Sequence, residues 1–395
     1  MKRQTIRRKL QGPRRKTRGT GRKAQGAAVR RVRVGVIFGG QSGEHEVSLL
    51  SAQSVMRAMD KERYEIVPIG ITQEGRWLAN GDPLKVLTGG QMTMPKLLGA
   101  SFIGHSSSAV NRALVPGSRR SDVPSVDVMF PVLHGPMGED GTVQGLLELA
   151  DLPYVGAGVM ASAVGMDKAV MKDVFRAQGL PVVPYLVFLR SEWERDPTAV
   201  MAQIEARLSF PCFIKPANLG SSVGMTKVHG YVELDAALAE AAAFDRKMLV
   251  EAAVPQAREI ECSVLGNDDP IASVPGEVRP VREFYDYQAK YFDEGTQLII
   301  PAPIPDELAA RVRELAIRAF RAVDCAGMAR VDFLLSGATG ELYVSEINTI
   351  PGFTAVSMYP KMWEASGLTY RELIDRLIQL ALERHADKKR SRTTL

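Results

Sequence analysis

A chain of 395 residues, 45% hydrophobic and 24% charged, is long enough for two or three domains with ample cores, and its composition is that of a globular protein. No apolar run approaches the ~20 residues of a membrane span, so no membrane partner is expected, and three cysteines without metal-ligand spacing (Cys212, Cys262, Cys325) read as buried free thiols of a reducing compartment. The net charge of +5 belongs to one end: residues 1–33 hold fourteen Lys and Arg and no acidic residue, leaving −9 for the rest.

That basic tail lacks the apolar segment of a secretory signal and reads as a disordered extension. Contact with nucleic acid or an anionic surface, or a transit role, competes with an inert extension for the tail; nothing after residue 34 repeats the basic theme, so no nucleic acid is expected on the body.

Arg33-Val34-Gly35-Val36-Ile37-Phe38-Gly39-Gly40 reads as a buried strand ending in glycines. The helix after it is expected to face inward with Val47, Leu50, Ser51, Ser54, Val55, Ala58 and Met59, and Tyr64–Ile69 is the next strand. This β-α-β start predicts a parallel sheet with helices packed on it. The Gly-, Ser- and Pro-rich stretch 80–124 has no pattern that places it. Val126–Phe130 resumes the sheet and leads to His134-Gly135, then to Gly138-Glu139-Asp140-Gly141 capping a helix over Thr142–Ala150.

Gly156-Ala157-Gly158-Val159-Met160-Ala161 fits G-x-G-x-x-A after the short strand Tyr154-Val155. The acidic residue that a dinucleotide site needs about 20 residues on, at the end of a second strand, is missing; Asp173 lies inside the next helix. That helix has Asp167 as N-cap, an apolar stripe of Val170, Met171, Val174 and Phe175, and Gly179 with Pro181 as its stop. Lys168 then sits in the first turn, where the helix dipole disfavours a cation by a small penalty that a solvated lysine survives; the position gains weight if an anion binds nearby.

Residues 210–228, FPCFIKPANLGSSVGMTKV, contain the G-x-S-x-G of a hydrolase nucleophile elbow at Gly220–Gly224. An elbow needs a helix directly after the serine and a later His. Here a second strand follows, and the downstream histidines are His229 beside it and His385 in a charged terminal helix. The stretch reads as a strand–glycine loop–strand hairpin with Lys215 at its entrance, either a plain hairpin or a nest of N–H groups for phosphate. From about residue 200 the elements alternate as in α+β domains.

Met328–Leu335 and Glu341–Asn348 flank a turn-forming stretch and make a second hairpin. Alternation puts Arg330 and Asp332 on one face, with Ala329, Val331, Phe333 and Leu335 on the other, and Glu346 with Asn348 on one face of the return strand. A register symmetric about Ala338 would set 330 near 346 and 332 near 344. Two carboxylates so close need a counter-charge: Arg330, as a structural ion pair, or Mg²⁺, for which Asp332, Glu346 and Asn348 offer hard oxygen ligands. The last helix opens with a capping box, Thr369 and Glu372, and carries Leu373, Ile374, Leu377, Ile378 and Ala381 on one face, which reads as structural.

Seven stretches in order carry a resemblance over about Val34–Gly367: Gly39-Gly40 with Glu44-His45-Glu46-Val47-Ser48, HGPMGEDGTVQG (134–145), GVMASAVGMDK (158–168), KPANLGSSVGM (215–225), FYDYQAKY (284–291), ARVDF (329–333) and EINTIPGFTAVSMYP (346–360). Together they resemble the ATP-grasp superfamily and, within it, the D-alanine–D-alanine ligases. The resemblance implies an α/β plus α+β chain: a tail over 1–33, an N-terminal Rossmann-like parallel-sheet domain over 34–160, a central ATP-grasp subdomain with a glycine/serine flap over 161–250, a C-terminal ATP-grasp subdomain with the metal and substrate site over 251–385, and a charged end over 386–395.

It further implies ATP-dependent joining of two D-alanines through an acylphosphate, for peptidoglycan precursors in the cytoplasm, by a homodimer using two Mg²⁺ ions, with Mn²⁺ as a substitute. Lys168, Lys215 and Lys290 would meet the phosphates, Glu251 and the Val254 backbone adenine, and Glu259 the ribose. Asp332, Glu346 and Asn348 would hold the metals, and Arg330 with the Gly352 N–H would face the oxyanion. Glu44, Ser221 and Tyr291 would form a closing triad beside the first substrate, with His134 close by. Ser357 and the Met358 backbone would take the second substrate's carboxylate. Other ATP-grasp carboxylate–amine ligases, and those making the D-alanine–D-lactate ester, are the alternatives; the ester-forming relatives lack the tyrosine that stands here as Tyr291.

Overall fold

Three sheets organise the chain, one largely parallel and two antiparallel. They are seen in a computed structural model that describes residues 30–79, 81–89, 125–279 and 296–392. The first sheet has β1 (Val32–Gly39), β2 (Tyr64–Ile71), β3 (Trp77–Leu78) and β4 (Val128–Val132) in the order β3-β2-β1-β4. β1 runs parallel to β2 and to β4, as the β-α-β start predicts, and β3 is a short antiparallel edge. Tyr154, expected in a strand, makes a single bridge to Met129.

Helix α1 (His45–Ala58) connects β1 to β2 and turns Val47, Ser51, Val55 and, just past its end, Met59 inward as expected, but not Leu50. His45, Val47, Ser48, Leu49, Ser51, Ala52 and Val55 are buried, while Leu50 is 37% exposed. Ser48 turns the helix: its Oγ accepts the Gly39 N–H at 2.8 Å and donates to the Val132 carbonyl, tying the ends of two parallel strands to one hydroxyl. Ser48 carries no apolar signal of its own, so the sequence pattern leaves it out of that face. Of the stretch 80–124 the described part, 81–89, carries the short helix α2 (Pro83–Leu87), N-capped by Asp82. Three helices follow β4: α3 (Thr142–Leu149), α4 (Val159–Met166) and α5 (Lys168–Ala177).

The second sheet is antiparallel, with order β5-β8-β6-β7 from β5 (Tyr185–Leu189), β6 (Cys212–Pro216), β7 (Thr226–Val228) and β8 (Lys247–Ala252). Helices α6 (Arg190–Arg195), α7 (Pro197–Arg207) and α8 (Leu234–Phe244) accompany it. Residues 217–225 link β6 to β7, so the serine loop is a hairpin tip and not an elbow.

The third sheet has the order β12-β11-β9-β13-β14, with β10 on β9. Its strands are β9 (Ala257–Gly266), β10 (Ile271–Ala272), β11 (Gly276–Arg279), β12 (Gln297–Ile299), β13 (Gly327–Ser336) and β14 (Leu342–Asn348). Helix α9 (Asp306–Ala322) buries Val312, Leu315, Ala316, Ala319 and Phe320 in a core with Ile260, Cys262, Val331 and Phe333. The chain closes with α10 (Met358–Ala365) and α11 (Tyr370–Lys388), whose Thr369–Glu372 capping box forms as predicted. Leu373, Ile374, Leu377, Ile378 and Ala381 of α11 share a core with Val34, Val36, Phe130 and Val132, so the last helix covers the first sheet. Phe353 belongs to the same core, with ring centroids 5.9, 5.6 and 5.7 Å from Phe130, Tyr359 and Tyr370. That anchoring fixes the loop after β14 between the first and third sheets.

Candidate active site

The hairpin loop over 217–225 is pinned at its base. Asp245 accepts both the backbone and the side-chain N–H of Asn218 at 2.9 Å, and Ala217 bonds the Lys247 carbonyl at 2.9 Å. Gly224, at φ +69°, has no room for a side chain: a Cβ there would lie 2.6 Å from the Phe244 ring. Ser221 and Ser222 adopt left-handed conformations at φ 53° and 56°, uncommon for non-glycine residues. At the tip, Ser221 Oγ donates to Glu44 Oε1 at 2.5 Å. Glu44 sits at the start of α1, so the tip of the second sheet latches onto the first region.

Below the loop lie the lysines. Asp167 caps α5 by accepting the N–H groups of Ala169 and Val170, which sets Lys168 in the first turn as the sequence predicts. Lys168 Nζ donates to the Leu219 carbonyl at 2.7 Å and lies 3.7 Å from Glu346 Oε2, touching loop and third sheet together. Lys215 Nζ is 2.5 Å from Glu251 Oε2, and Lys172 Nζ is 2.6 Å from Glu251 Oε1. Burial alone would raise the Glu251 pKa, but the two ammoniums hold it down at about 2. For Lys215, burial is outweighed by Glu251, Glu346 and Glu259, which keep it above the ordinary lysine range. The Glu251 carboxylate, expected against adenine, is thus engaged by two lysines, while Val254 sits half-buried between β8 and β9.

The third sheet supplies an acidic floor. Asp332 pairs with Glu346 on one side and with Glu261 on the other, and Arg330 pairs with Asn348. The register expected from the turn is displaced by two residues: Leu335 already pairs with Leu342, one residue off symmetry about Ala338, and Ser345 adds a second as an extra residue between the pairs Phe333–Val344 and Asp332–Glu346. That bulge keeps Val344 and Ile347 buried while Glu346 comes directly opposite Asp332. Arg330 grips Asp332 through Nε at 2.7 Å and Nη2 at 2.6 Å, lies 3.1 Å from Glu261, and has its pKa raised against the cost of burial by these carboxylates. Asn348 Nδ2 donates to Asp332 Oδ2 at 2.9 Å, turning its carbonyl oxygen away from that carboxylate. Among the described residues no three His, Cys, Asp or Glu side chains form a ready metal cluster. The donor chemistry of Asp332, Glu346 and Asn348, two carboxylates and an amide oxygen, nevertheless fits Mg²⁺, which takes one or two carboxylates and fills its shell with water and phosphate.

The first region closes the site from its own side. The His134 Nδ1–H donates to the Ile350 carbonyl at 3.1 Å and its Nε2 lies 3.4 Å from Ser51 Oγ, which in turn accepts the Phe353 N–H at 3.4 Å. Burial lowers the His134 pKa, opposed by Glu44, so a neutral imidazole braces the loop around Gly352 with both ring nitrogens engaged. Glu139 accepts the Gly135 N–H at 2.6 Å, and the Ile350 backbone lies near enough to favour its charged form. Burial and the neighbouring Glu44 push its pKa up to about 8. Gly135, at φ +73°, sits so close to Ser42 that a Cβ would lie 2.8 Å from its Oγ. Beyond Gly352, Ser357 accepts the Thr354 N–H at 3.1 Å and stands at the N-cap of α10, with Met358 in its first turn, where unpaired N–H groups favour an anion.

The structure thus brings Glu44 to Ser221, Lys168 to Glu346, Lys215 to Glu251 and Arg330 to Asp332 and Asn348. Lys290 and Tyr291 lie outside the described residues. Pattern reading missed three members. Glu261 carried a usable signal, since Glu259 and Glu261 alternate on β9 as Arg330 and Asp332 do on β13. Lys172 stands one turn after Lys168, in a helix whose buried residues are Ala169, Met171, Lys172 and Phe175; Val170, expected inside, is 40% exposed. Glu139 was visible only as part of a helix cap.

Comparison with known proteins matches the family model described as D-ala D-ala ligase N-terminus over residues 33–157 and the one described as D-ala D-ala ligase C-terminus over 174–379. A D-alanine--D-alanine ligase of Thermoanaerobacter sp. (strain X514) is 53% identical over 366 residues, 92% of this chain and 99% of the relative. Its counterpart from Heliobacterium modesticaldum is 50% identical over 372 residues, 91% and 97% of the two chains. Among solved structures, the D-alanine-D-alanine ligase from Coxiella burnetii superposes with a TM-score of 0.74 at 36% identity, covering 91% of this chain and 96% of that one. The VanG D-Ala:D-Ser ligase from Enterococcus faecalis does so at 0.75 and 38%, covering 89% and 100%.

Proposed function

The chain belongs to the D-alanine–D-alanine ligase family, with its ATP-grasp fold, and from that premise we propose how its own residues carry out the family's reaction. The protein is an ATP-dependent ligase that joins two D-alanines for peptidoglycan synthesis. The carboxylate of the first takes the terminal phosphoryl group of ATP, and the amine of the second attacks the acylphosphate and expels phosphate. Nothing in this sequence needs a protein nucleophile; it needs anions held together and charge developed in a fixed place.

One observation carries the assignment of the site: Lys168 reaches the loop carbonyl of Leu219 and the floor carboxylate of Glu346 with the same ammonium. A polyphosphate laid between loop and floor meets Lys168 and Lys215 from one side. Asp332, Glu346 and Asn348 would hold Mg²⁺ on the other, where the metal neutralises the charge of the transferring phosphate. Arg330, held flat by Asp332 and Glu261, and the Gly352 N–H, fixed by Phe353 in the core, face the oxyanion of the tetrahedral intermediate. The Glu44–Ser221 bond closes the loop over the first substrate and presents a carboxylate to its ammonium. Ser357 and Met358, at the start of α10, receive the carboxylate of the second alanine.

Phosphate release from ATP should depend on D-alanine, with D-alanyl-D-alanine as the product by mass spectrometry. L-alanine should not replace it, and D-serine or D-lactate in competition should yield a minor share; mostly mixed product would reassign the second site. The homodimer implied by the family resemblance is checked by sedimentation. Among the described residues no helix is long and apolar enough to cross a membrane.

A further inference from the structure

Lys172 is a full lysine in the interior. Its side chain is 1% exposed, it lies among Ala169, Met171 and Phe175 on the inner face of α5, and its ammonium reaches one oxygen of Glu251 at 2.6 Å. Lys215, 15% exposed, takes the other oxygen at 2.5 Å. Of the two, only Lys215 keeps any exposure to solvent, and Lys172 is too deep to touch a nucleotide. Resting on the proposed phosphate role of Lys215, we infer that Lys172 is a positioning residue: it keeps Glu251 neutralised so that Lys215 can hold phosphate.

Lys215 and Glu251 alone would be a closed, neutral pair. A phosphate approaching Lys215 would then compete with a buried carboxylate for one ammonium, and that carboxylate would repel the phosphate or be left without a cation, either of which is costly at low dielectric. With Lys172 on the second oxygen, three groups carry a net charge of +1, and Lys215 can turn to an anion while Glu251 stays paired. The geometry suits this sharing, because each carboxylate oxygen has its own lysine and neither lysine has to move for the other to remain bound.

The test uses the full-length protein and calorimetric binding of adenosine, ADP and ATP. Lys172→Met should weaken ADP and ATP by ~10-fold or more, as loss of a compensated charge contact does, with adenosine shifted much less. Adding Glu251→Gln removes the carboxylate that traps Lys215 and should restore most of the preference for ADP over adenosine. A parallel loss of adenosine and ADP in the single variant would mean a merely structural lysine and would overturn the inference, as would unchanged ADP binding. If Lys172→Met does not fold, the double variant decides alone: ADP preference near that of the unaltered protein supports the role, and its loss refutes it. Unaltered protein that binds ADP no better than adenosine would instead overturn the phosphate role of Lys215 on which the inference stands.

Discussion

The two sides of the site handle charge in opposite ways. On the loop side, Lys172 and Lys215 outnumber the one carboxylate they share, Glu251, while Lys168 meets the Leu219 carbonyl and reaches across to Glu346, and the hairpin tip bonds Glu44 through Ser221. On the floor, Glu261, Asp332 and Glu346 line up across three strands and outnumber Arg330, with every partner fixed by strand register. One side is left positive and attached to a loop; the other is left negative and attached to a sheet. Under the proposed function, a nucleotide polyphosphate with a divalent cation would complement both at once.

Breaking the floor should have the largest effect. Asp332→Asn with Glu346→Gln is expected to remove Mg²⁺-dependent ATP turnover by ~10³-fold or more, while circular dichroism still shows a folded sheet. Retained activity would put the metal elsewhere.

Arg330 sharpens the same side. Arg330→Ala should lower kcat by ~10²–10³-fold through loss of oxyanion stabilisation. Because the guanidinium also compensates Asp332 and Glu261, thermal or denaturant unfolding should show a loss of about 3–5 kcal/mol. Adding Asp332→Asn should recover part of the stability and none of the activity, separating the ion pair from the chemistry.

The loop side should respond more gently. Ser221→Ala removes a charge-assisted hydrogen bond of about 1.5–3 kcal/mol, so kcat/KM for D-alanine should fall by ~10–100-fold. Stability should hardly change, since the tip is anchored elsewhere by Asn218 and Gly224. A large loss of stability would make the latch a structural element.

Glu251 provides a pH test of the lysine cluster. Its folded pKa, near 2, is depressed below the ordinary 4.5, so its stabilisation is present above pH ~4.5 and is lost as pH falls toward 2. Glu251→Gln should therefore be less stable at neutral pH yet flatter between pH ~4.5 and ~2, read from urea midpoints across that window. Smallest of all, Thr369→Ala should cost about 1 kcal/mol of stability by removing the cap of α11, with turnover unaffected.

Much of this was legible in the sequence because it is local. The Asp167 cap that places Lys168, the parallel β1 and β2, the strand–loop–strand around Ser221 and the Thr369 capping box all follow from neighbouring residues. What escaped depends on contacts distant in sequence. Ser48 carries no inward signal until Gly39 and Val132 are brought to it. Lys172 reads as a solvated lysine until Glu251 arrives from β8, and the register of the acidic hairpin hangs on where the bulge at Ser345 falls, which no turn rule specifies. His134 and Glu139 belong to motif stretches, yet their tasks, bracing Ile350 and the loop to Phe353, appear only in the packed structure.

The account's central claim is that loop and floor together hold ATP while its phosphoryl group passes to the carboxylate of D-alanine. D-alanine labelled with ¹⁸O in its carboxylate, incubated with the protein, ATP and Mg²⁺, tests it most directly. The account predicts one ¹⁸O in the released phosphate for each D-alanyl-D-alanine formed. Phosphate released without the label, or released equally well without D-alanine, would contradict it.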